Sequence, residues 1–411
     1  MKTSEFMKKY NLSRDTVRYY ISKGLLLPEH TGTRIEFGEK ECRDLEYIRH
    51  LQQMHFSLKD IQRFLTMTRQ SNMIEPDILQ ETCSMLVGQK ESLHQDIRSL
   101  NHALELIDTE LTRLQQLGQK TVYKIGVPLS SLPLLRCPIC QKRLAVENAT
   151  IVQDFIIQGV LRCEDHYHAR INDGIICTNN VYHGDSDTPD LSRNCYRILD
   201  SSVFFHIQKC LALVLNQLKK SKLSGKVVME SHINGYFFLY NHFKELPSDA
   251  LYIITDRFPE TLEMYKKLIE MLGLDLHILF IADNSMNYPL QPGCVDYHVN
   301  FLCDNEHMLY HQNSYCLDCS RFDAPDASIT GCFWAYPQDS KSLKEVRRKY
   351  PDASAYLHSV DHFKADCHRA GYELSMQKLG RVTPPQTERY IFSCQHGQDA
   401  LDIYFFSGHR R

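Results

Sequence analysis

The chain has 411 residues, 43% of them hydrophobic and 24% charged, enough to bury a sizeable core and to divide into two or three domains, which excludes disordered and fibrous classes. Its net charge of -3 hides an asymmetry: residues 1–70 hold 13 Lys and Arg against 9 Asp and Glu, a net +4, and the rest is net -7. Only the N-terminal part therefore suits a polyanion. There is no run of about 18 apolar residues, and Met1-Lys2-Thr3-Ser4-Glu5 opens without an apolar leader, so no membrane partner and a cytoplasmic location are expected. Fifteen cysteines, an odd number spread over a long chain, point to free thiols and one metal site rather than to a disulfide scaffold.

Residues 4–10 read as a short helix, followed by a turn at Asn11-Leu12 and a new start at Ser13, whose hydroxyl can cap free backbone N–H groups. The second helix, Ser13 to Lys23, places Arg14, Arg18 and Tyr19 within about one turn of each other, while Val17 and Ile21 share the opposite face. Gly24 ends it, Pro28 prevents resumption, and Thr33-Arg34-Ile35-Glu36-Phe37 forms the returning edge of a small wing. Thr16-Val17-Arg18-Tyr19-Tyr20, Gly24-Leu25-Leu26-x-Pro28, Arg34-x-x-Phe37, Asp44-Leu45-x-x-Ile48 and Phe56-Ser57-Leu58-x-x-Ile61 together resemble the MerR family of winged helix-turn-helix regulators over residues 1–70. The resemblance implies double-stranded promoter DNA as partner, contacted by Ser13, Arg14, Thr16, Arg18, Tyr19, Tyr20, Lys23 and Arg34. Asn11 stands where the family often has Gly, and Asn tolerates the same left-handed backbone.

From Leu79 the apolar residues fall at 79, 83, 86, 93, 97, 100, 104, 107, 111 and 114, with only Lys90 polar at the seam. This heptad pattern predicts a long helix with one apolar stripe. The resemblance implies a homodimer through residues 79–117 and, at the promoter, RNA polymerase as a further partner. Gly118 closes the helix, and Gly126, Pro128 and Pro133 mark a linker.

Cys137-Pro138-Ile139-Cys140 is followed, after 22 residues, by Cys163 and then His166. Two thiolates on one turn and a Cys with a His from a second supply four ligands for tetrahedral, structural zinc. His168 or Cys177 are alternatives to His166 as the fourth. The order, with Asp173-Gly174-Ile175 beyond, resembles the zinc knuckle that precedes the catalytic domain of large-subunit rRNA guanine methyltransferases.

Past Cys195, strand-like runs at 226–230, 251–256, 277–283 and 295–299 alternate with amphipathic stretches, notably Pro259 to Leu272, which predicts a parallel, doubly wound sheet. Two last runs, 389–394 and 401–406, suggest an antiparallel edge hairpin. Glu230, Asp256 and Asp283 close three of these strands, and residues 195–411 resemble a class I methyltransferase that binds S-adenosylmethionine. The resemblance implies that Asp256 grips the ribose hydroxyls and that Asp283 lies near the adenine, with Glu230 and Gly235 beside the first loop. That loop departs from the family: Glu230-Ser231-His232-Ile233-Asn234-Gly235 keeps a single glycine, and His232 and Ile233 would crowd a cofactor. A further cluster, Cys303, His307, His311, Cys316 and Cys319, suits a metal or thiol sensor, or else buried cysteines and surface histidines.

The expected architecture is multidomain: an all-α winged helix-turn-helix (1–72) with a long coiled-coil helix (75–118), a linker and small zinc knuckle (119–194), and an α/β doubly wound, Rossmann-like, methyltransferase-like domain (195–411). The expected function is a one-component DNA-binding regulator whose degenerate C-terminal domain senses S-adenosylmethionine or a related ligand, with no catalytic residues assigned. The alternative is an active S-adenosylmethionine-dependent methyltransferase carrying a DNA-binding domain.

Overall fold

The computed structural model describes residues 1–31, 34–71, 75–117, 123–164, 167–182, 187–193, 199–386, 393–397 and 399–411. The chain forms two compact units, Met1–Leu117 and Gly118–Arg411.

In the first unit, α1 (Thr3–Tyr10) and α2 (Arg14–Ser22) are joined at Asn11, whose φ of 50° is the left-handed conformation expected of it. Ser13 Oγ accepts from the Thr16 N–H at 3.0 Å and fixes the start of α2. Strands β1 (Glu29–Thr31) and β2 (Arg34–Glu36) pair antiparallel as the wing, and α3 (Glu39–Gln53) and α4 (Leu58–Gln70) complete the domain. Phe6, Val17, Leu25, Leu26, Phe37, Leu45, Ile48, Ile61, Phe64 and Leu65 form its core, with Phe6 and Phe37 stacked at 4.2 Å. Arg69 ties the α2 exit to this core: its guanidinium donates to Gly24 O (2.8 Å), Leu25 O (2.6 Å) and Asp44 (2.7 Å). The 42-residue α5 (Pro76–Leu117) starts at a proline, whose missing N–H costs nothing in a first turn. Only its beginning leans on the domain, where Gln89 donates to Met54 O and His55 O at 3.1 Å.

The second unit is built on a sheet of twelve strands among the described residues. Its doubly wound part comprises β8 (Val227–Ser231), β9 (Leu251–Asp256), β10 (His277–Ala282), β11 (Val295–Phe301) and β12 (Asp323–Ala335), all parallel. Their near-continuous burial explains why these runs read as unbroken apolar stretches. Helices α6 (Ser201–Lys220), α7 (Phe238–His242) and α8 (Pro259–Leu272) belong to this layer, and α8 spans the range expected from its amphipathic pattern. The order β10-β9-β8-β11-β12 reverses direction between β8 and β11, the place where open α/β sheets form a crevice beyond the strand ends. This is the mixed α/β, doubly wound sheet that the sequence predicts.

Both edges extend it. On one side β14 (Leu401–Arg410) pairs antiparallel with β12 and with β13 (Tyr372–Val382). β14 thus finds its outer partner in 372–382, with ten residues in register, while most of the expected 389–394 run lies outside the described residues. On the other side β7 (Ile175–Cys177) pairs parallel with β10, followed by β6 (Tyr167–Asn172), β5 (Phe155–Cys163), β3 (Val127–Pro128) and, on β5, β4 (Ala145–Val152). Residues 119–194 and 195–411 therefore share one sheet. Gly331 on β12 is required by close approach, since a Cβ there would lie 1.8 Å from Asn300 O of β11.

Candidate functional site

Four groups of expected functional residues are placed. On α2, Arg14, Arg18, Tyr19 and Lys23 are exposed together, with the Lys23 ammonium 5.7 Å from the Tyr19 ring centroid. Ser13 and Thr16 begin that helix and bond each other at 2.7 Å. Tyr20 points the other way: it is buried, and its hydroxyl accepts from Gln52 at 3.1 Å. Its i+1 position after Tyr19 turns it about 100° toward the core. The Arg34 side chain lies outside what the structure describes, as does Gly118.

In the knuckle, Gln141 N–H donates to Cys137 O and Cys137 N–H to Lys142 O, both at 2.9 Å, with Gln141 left-handed at φ 59°. This tight turn brings the Cys137, Cys140 and Cys163 sulfurs within 4.8 Å of one another, Cys140 to Cys163 at 3.4 Å. Zn–S bonds of about 2.3 Å in a tetrahedron need sulfurs about 3.8 Å apart, so the three fit zinc. The Lys142 main-chain N–H and the Cys163 thiol hold the Cys140 thiol below its ordinary pKa, which favours the thiolate a metal needs. His166 lies outside the described residues. Of the alternatives, His168 Nε2 is 3.2 Å from Asn179 Nδ2 and Cys177 Sγ lies 3.9 Å from Ile175 O, and neither joins the three-sulfur group. The 14 cysteines among the described residues are all free.

At the crevice, the acids that end the strands are turned inward. Glu230 accepts from Phe238 N–H (2.7 Å) and Leu239 N–H (2.9 Å), holding the start of α7, and burial pushes its pKa up to about 8. Asp256 accepts from Asn234 N–H and Phe258 N–H, each at 2.9 Å, and burial raises it to about 6. Asp283 accepts from Ser285 N–H (2.8 Å), Asn287 N–H (3.1 Å) and the Thr178 hydroxyl (2.7 Å). Gly235 faces Glu306, whose Oε2 would be 2.9 Å from a Cβ there. Each Asp256 oxygen accepts one amide N–H and so keeps acceptor capacity for a ribose hydroxyl, while the carboxylate is only 2% exposed.

The residues that fill the crevice were not foreseen. Arg257 is 3% exposed; it donates to Asp187 (2.5 Å) and Tyr310 (2.6 Å), its guanidinium lies 3.6 Å from the Tyr310 ring centroid, and Glu306 is 3.7 Å away. Asp190 N–H donates to Asn234 Oδ1 at 2.9 Å, so the segment around 187–190 packs against the first loop. The one signal in the sequence is Arg257 directly after a strand-end acid. His232 and Leu302, which follow the two strands flanking the crevice, both have left-handed backbones at φ 54° and 67°, a strain that non-glycine residues hold only when their surroundings impose it.

The cysteine and histidine cluster divides. Cys303 Sγ donates to Ser231 O at 2.9 Å, Cys316 packs beside Cys367, and Cys319 joins the buried pair His298 and Asp323, which lie 2.7 Å apart. His307 and His311 stay together.

Residues 1–68 match the family described as MerR HTH family regulatory protein. The N-terminal domain is of the MerR type. The curated relative HTH-type transcriptional regulator YfmP of Bacillus subtilis (strain 168) is 28% identical over 124 residues, covering 29% of this chain and 86% of YfmP. The likeness to this regulator thus covers under a third of the chain. Among solved structures, a phosphoethanolamine N-methyltransferase 2 of Haemonchus contortus in complex with S-adenosylhomocysteine aligns with TM-score 0.37 and 11% identity over 49% of this chain, which spans about half of that protein (52%). The cyclopropane synthase MmaA2 from Mycobacterium tuberculosis aligns with TM-score 0.37 and 11% identity over 50% of this chain and 84% of its own. No helix among the described residues is long and apolar enough to cross a membrane.

Proposed function

We propose that the chain is a DNA-binding transcription regulator that dimerises through residues 79–117 and whose C-terminal unit senses a small molecule rather than transferring methyl groups. The observation that carries this reading is the exposed Arg14, Arg18, Tyr19 and Lys23 face of α2 on a MerR-type core. Arginine and lysine on such a face supply charge-assisted contacts to phosphate and base edges. One helix-turn-helix makes too few contacts for specificity, and two on a dimer read a palindromic site with fixed spacing. Leu100, Leu104, Ile107, Leu111 and Leu114 support the dimer: they stand exposed along α5, each 49–65% accessible, on a helix about 63 Å long.

The sensing assignment is supported by the inward acids and the crowded first loop. A ligand that prefers one dimer geometry by about 1–3 kcal/mol would change promoter distortion and so RNA polymerase engagement. Cys137, Cys140 and Cys163, with His166 as fourth ligand, would hold structural zinc in this reading. The protein would then act in the cytoplasm, where its DNA and reduced thiols are found together.

The test has two arms. Fluorescence anisotropy with its promoter DNA should give binding that weakens steeply with salt, and no salt-dependent binding would overturn the regulator reading. Calorimetric titration of S-adenosylmethionine and S-adenosylhomocysteine, repeated with Asp256→Asn, tests the sensor. Methyl transfer to DNA or RNA in the same preparation would replace sensing by the enzyme reading.

A further inference from the structure

His307 ends α9 (Cys303–His307) and is fully buried, and His311 lies one turn beyond, its N–H donating to His307 O at 3.1 Å. Their rings stack at 4.0 Å with 12° between planes. Asp318, at the end of α10 (Tyr315–Asp318), places Oδ2 2.9 Å from His307 Nε2. One nitrogen of each histidine and one Asp318 oxygen lie within 4.8 Å of one another. These are two neutral imidazoles and a carboxylate, a donor set that suits borderline divalent transition metals.

What surrounds them is what a metal site needs in its support. The second Asp318 oxygen accepts from Asn313 Nδ2 at 2.8 Å, which fixes the carboxylate. His307 Nδ1 lies 3.0 Å from His232 Nε2, so with Nε2 on an ion the ring can donate its remaining N–H to His232. His232 Nδ1 is buried and makes no hydrogen bond among the described residues. The His311 ring has no hydrogen bond there either, and the Asp318 side chain is 25% exposed, which gives an ion a path from solvent. The group sits where β8 and β11 part, and the left-handed His232 and Leu302 are the strained residues that bring it together.

We propose that His307, His311 and Asp318 form a metal site, separate from the cysteine knuckle, that binds a divalent transition-metal ion and leaves coordination positions open to water or an exogenous ligand. Metal–nitrogen and metal–oxygen bonds of about 2.0–2.2 Å place ligand atoms about 3 Å apart, and rotation of the partly exposed His311 closes the remaining gap. The site does not depend on the chain being a regulator.

The experiment is a Co2+ titration of the full-length protein purified with zinc in its knuckle, followed by visible absorption, with Zn2+ competition. The expected result is one further equivalent of Co2+ whose d–d bands appear without thiolate-to-metal charge transfer. His311→Ala should lower the affinity for it at least about 100-fold, and Asn313→Ala about 10- to 100-fold, as loss of an orienting partner does. Cys140→Ser should leave this equivalent in place. Thermal melting of each variant establishes that it is folded, and the accessible position of His311 makes that variant the safer one. Absence of a further equivalent, an unchanged affinity in the His311→Ala, Asp318→Asn double variant, or bands with thiolate charge transfer would each overturn the site.

Discussion

In residues 1–117 the charged and aromatic groups that matter stand outside a small apolar core, with Arg14, Arg18 and Tyr19 on one exposed turn of α2, whereas in residues 118–411 the carboxylates that end the strands are turned inward, Glu230 wholly buried and Asp256 2% exposed. The difference is one of what holds each group. An exposed arginine needs only its helix and the cap at Ser13. Glu230 and Asp256 are held by amides of Phe238, Leu239, Asn234 and Phe258, and burial alone would keep them protonated well above the usual carboxylate range. Outward groups are therefore separable from fold stability, and inward groups are part of it.

Several substitutions would sharpen or break this contrast. The largest effect is expected at Glu230→Ala, which leaves two buried N–H groups without an acceptor; loss of about 3 kcal/mol is expected, seen as a lower melting transition of the C-terminal unit with that of residues 1–117 unmoved. Next is the cysteine turn: chelation or Cys137→Ser should lower the melting temperature of the same unit, and an unchanged melt would remove zinc from the reading. A third is pH. Burial holds His358 down to about 4, so the folded state binds fewer protons than the unfolded chain below about 6.5. Its stabilising contribution is complete above that pH and is lost as pH falls toward 4, on the order of 3 kcal/mol; His358→Gln should flatten the decline in a series of denaturant melts.

Outward changes should act on binding and spare the fold. Leu104→Glu should convert a dimer to monomers in sedimentation, with DNA affinity lower by at least about tenfold as the second half-site is lost, and a dimer that survives it would contradict the α5 seam. Arg18→Ala should weaken DNA binding across sequences and reduce the salt slope by about 1, with an unaltered melt. The smallest effect is expected at Gln153, left-handed at φ 53° in the turn between β4 and β5: Gln153→Gly should raise stability by about 0.5–1 kcal/mol.

The same contrast explains how much could be read in advance. The α2 cap, the left-handed Asn11, the wing and the limits of α8 depend on neighbours a few residues away, and each follows from local residue chemistry. β13 does not stand out in the sequence because it is an edge strand with alternating exposure and a bulge between Lys378 and Gly380, so its apolar signal is weak. The motif puts Tyr20 beside Tyr19 on the DNA face, but one step along a helix turns its side chain into the core. Arg257, Asp187 and Tyr310 meet across separations of 53 to 123 residues, which periodicity and spacing do not register. The Cys303 to Cys319 residues, close in sequence, were divided among three environments by the packing of the turns that carry them.

The pairing of β7 with β10 has a consequence for how the second unit opens. Because Ile175, Ile176 and Cys177 are zipped in register to Phe280, Ile281 and Ala282, and Lys266 on α8 reaches Asp173 at 3.3 Å, the cysteine turn is no appended module. Amides of β5, β6, β9 and β10 should exchange with solvent in one cooperative opening, so that an ion gripped at one end of the sheet slows exchange at the crevice on the other side of β10.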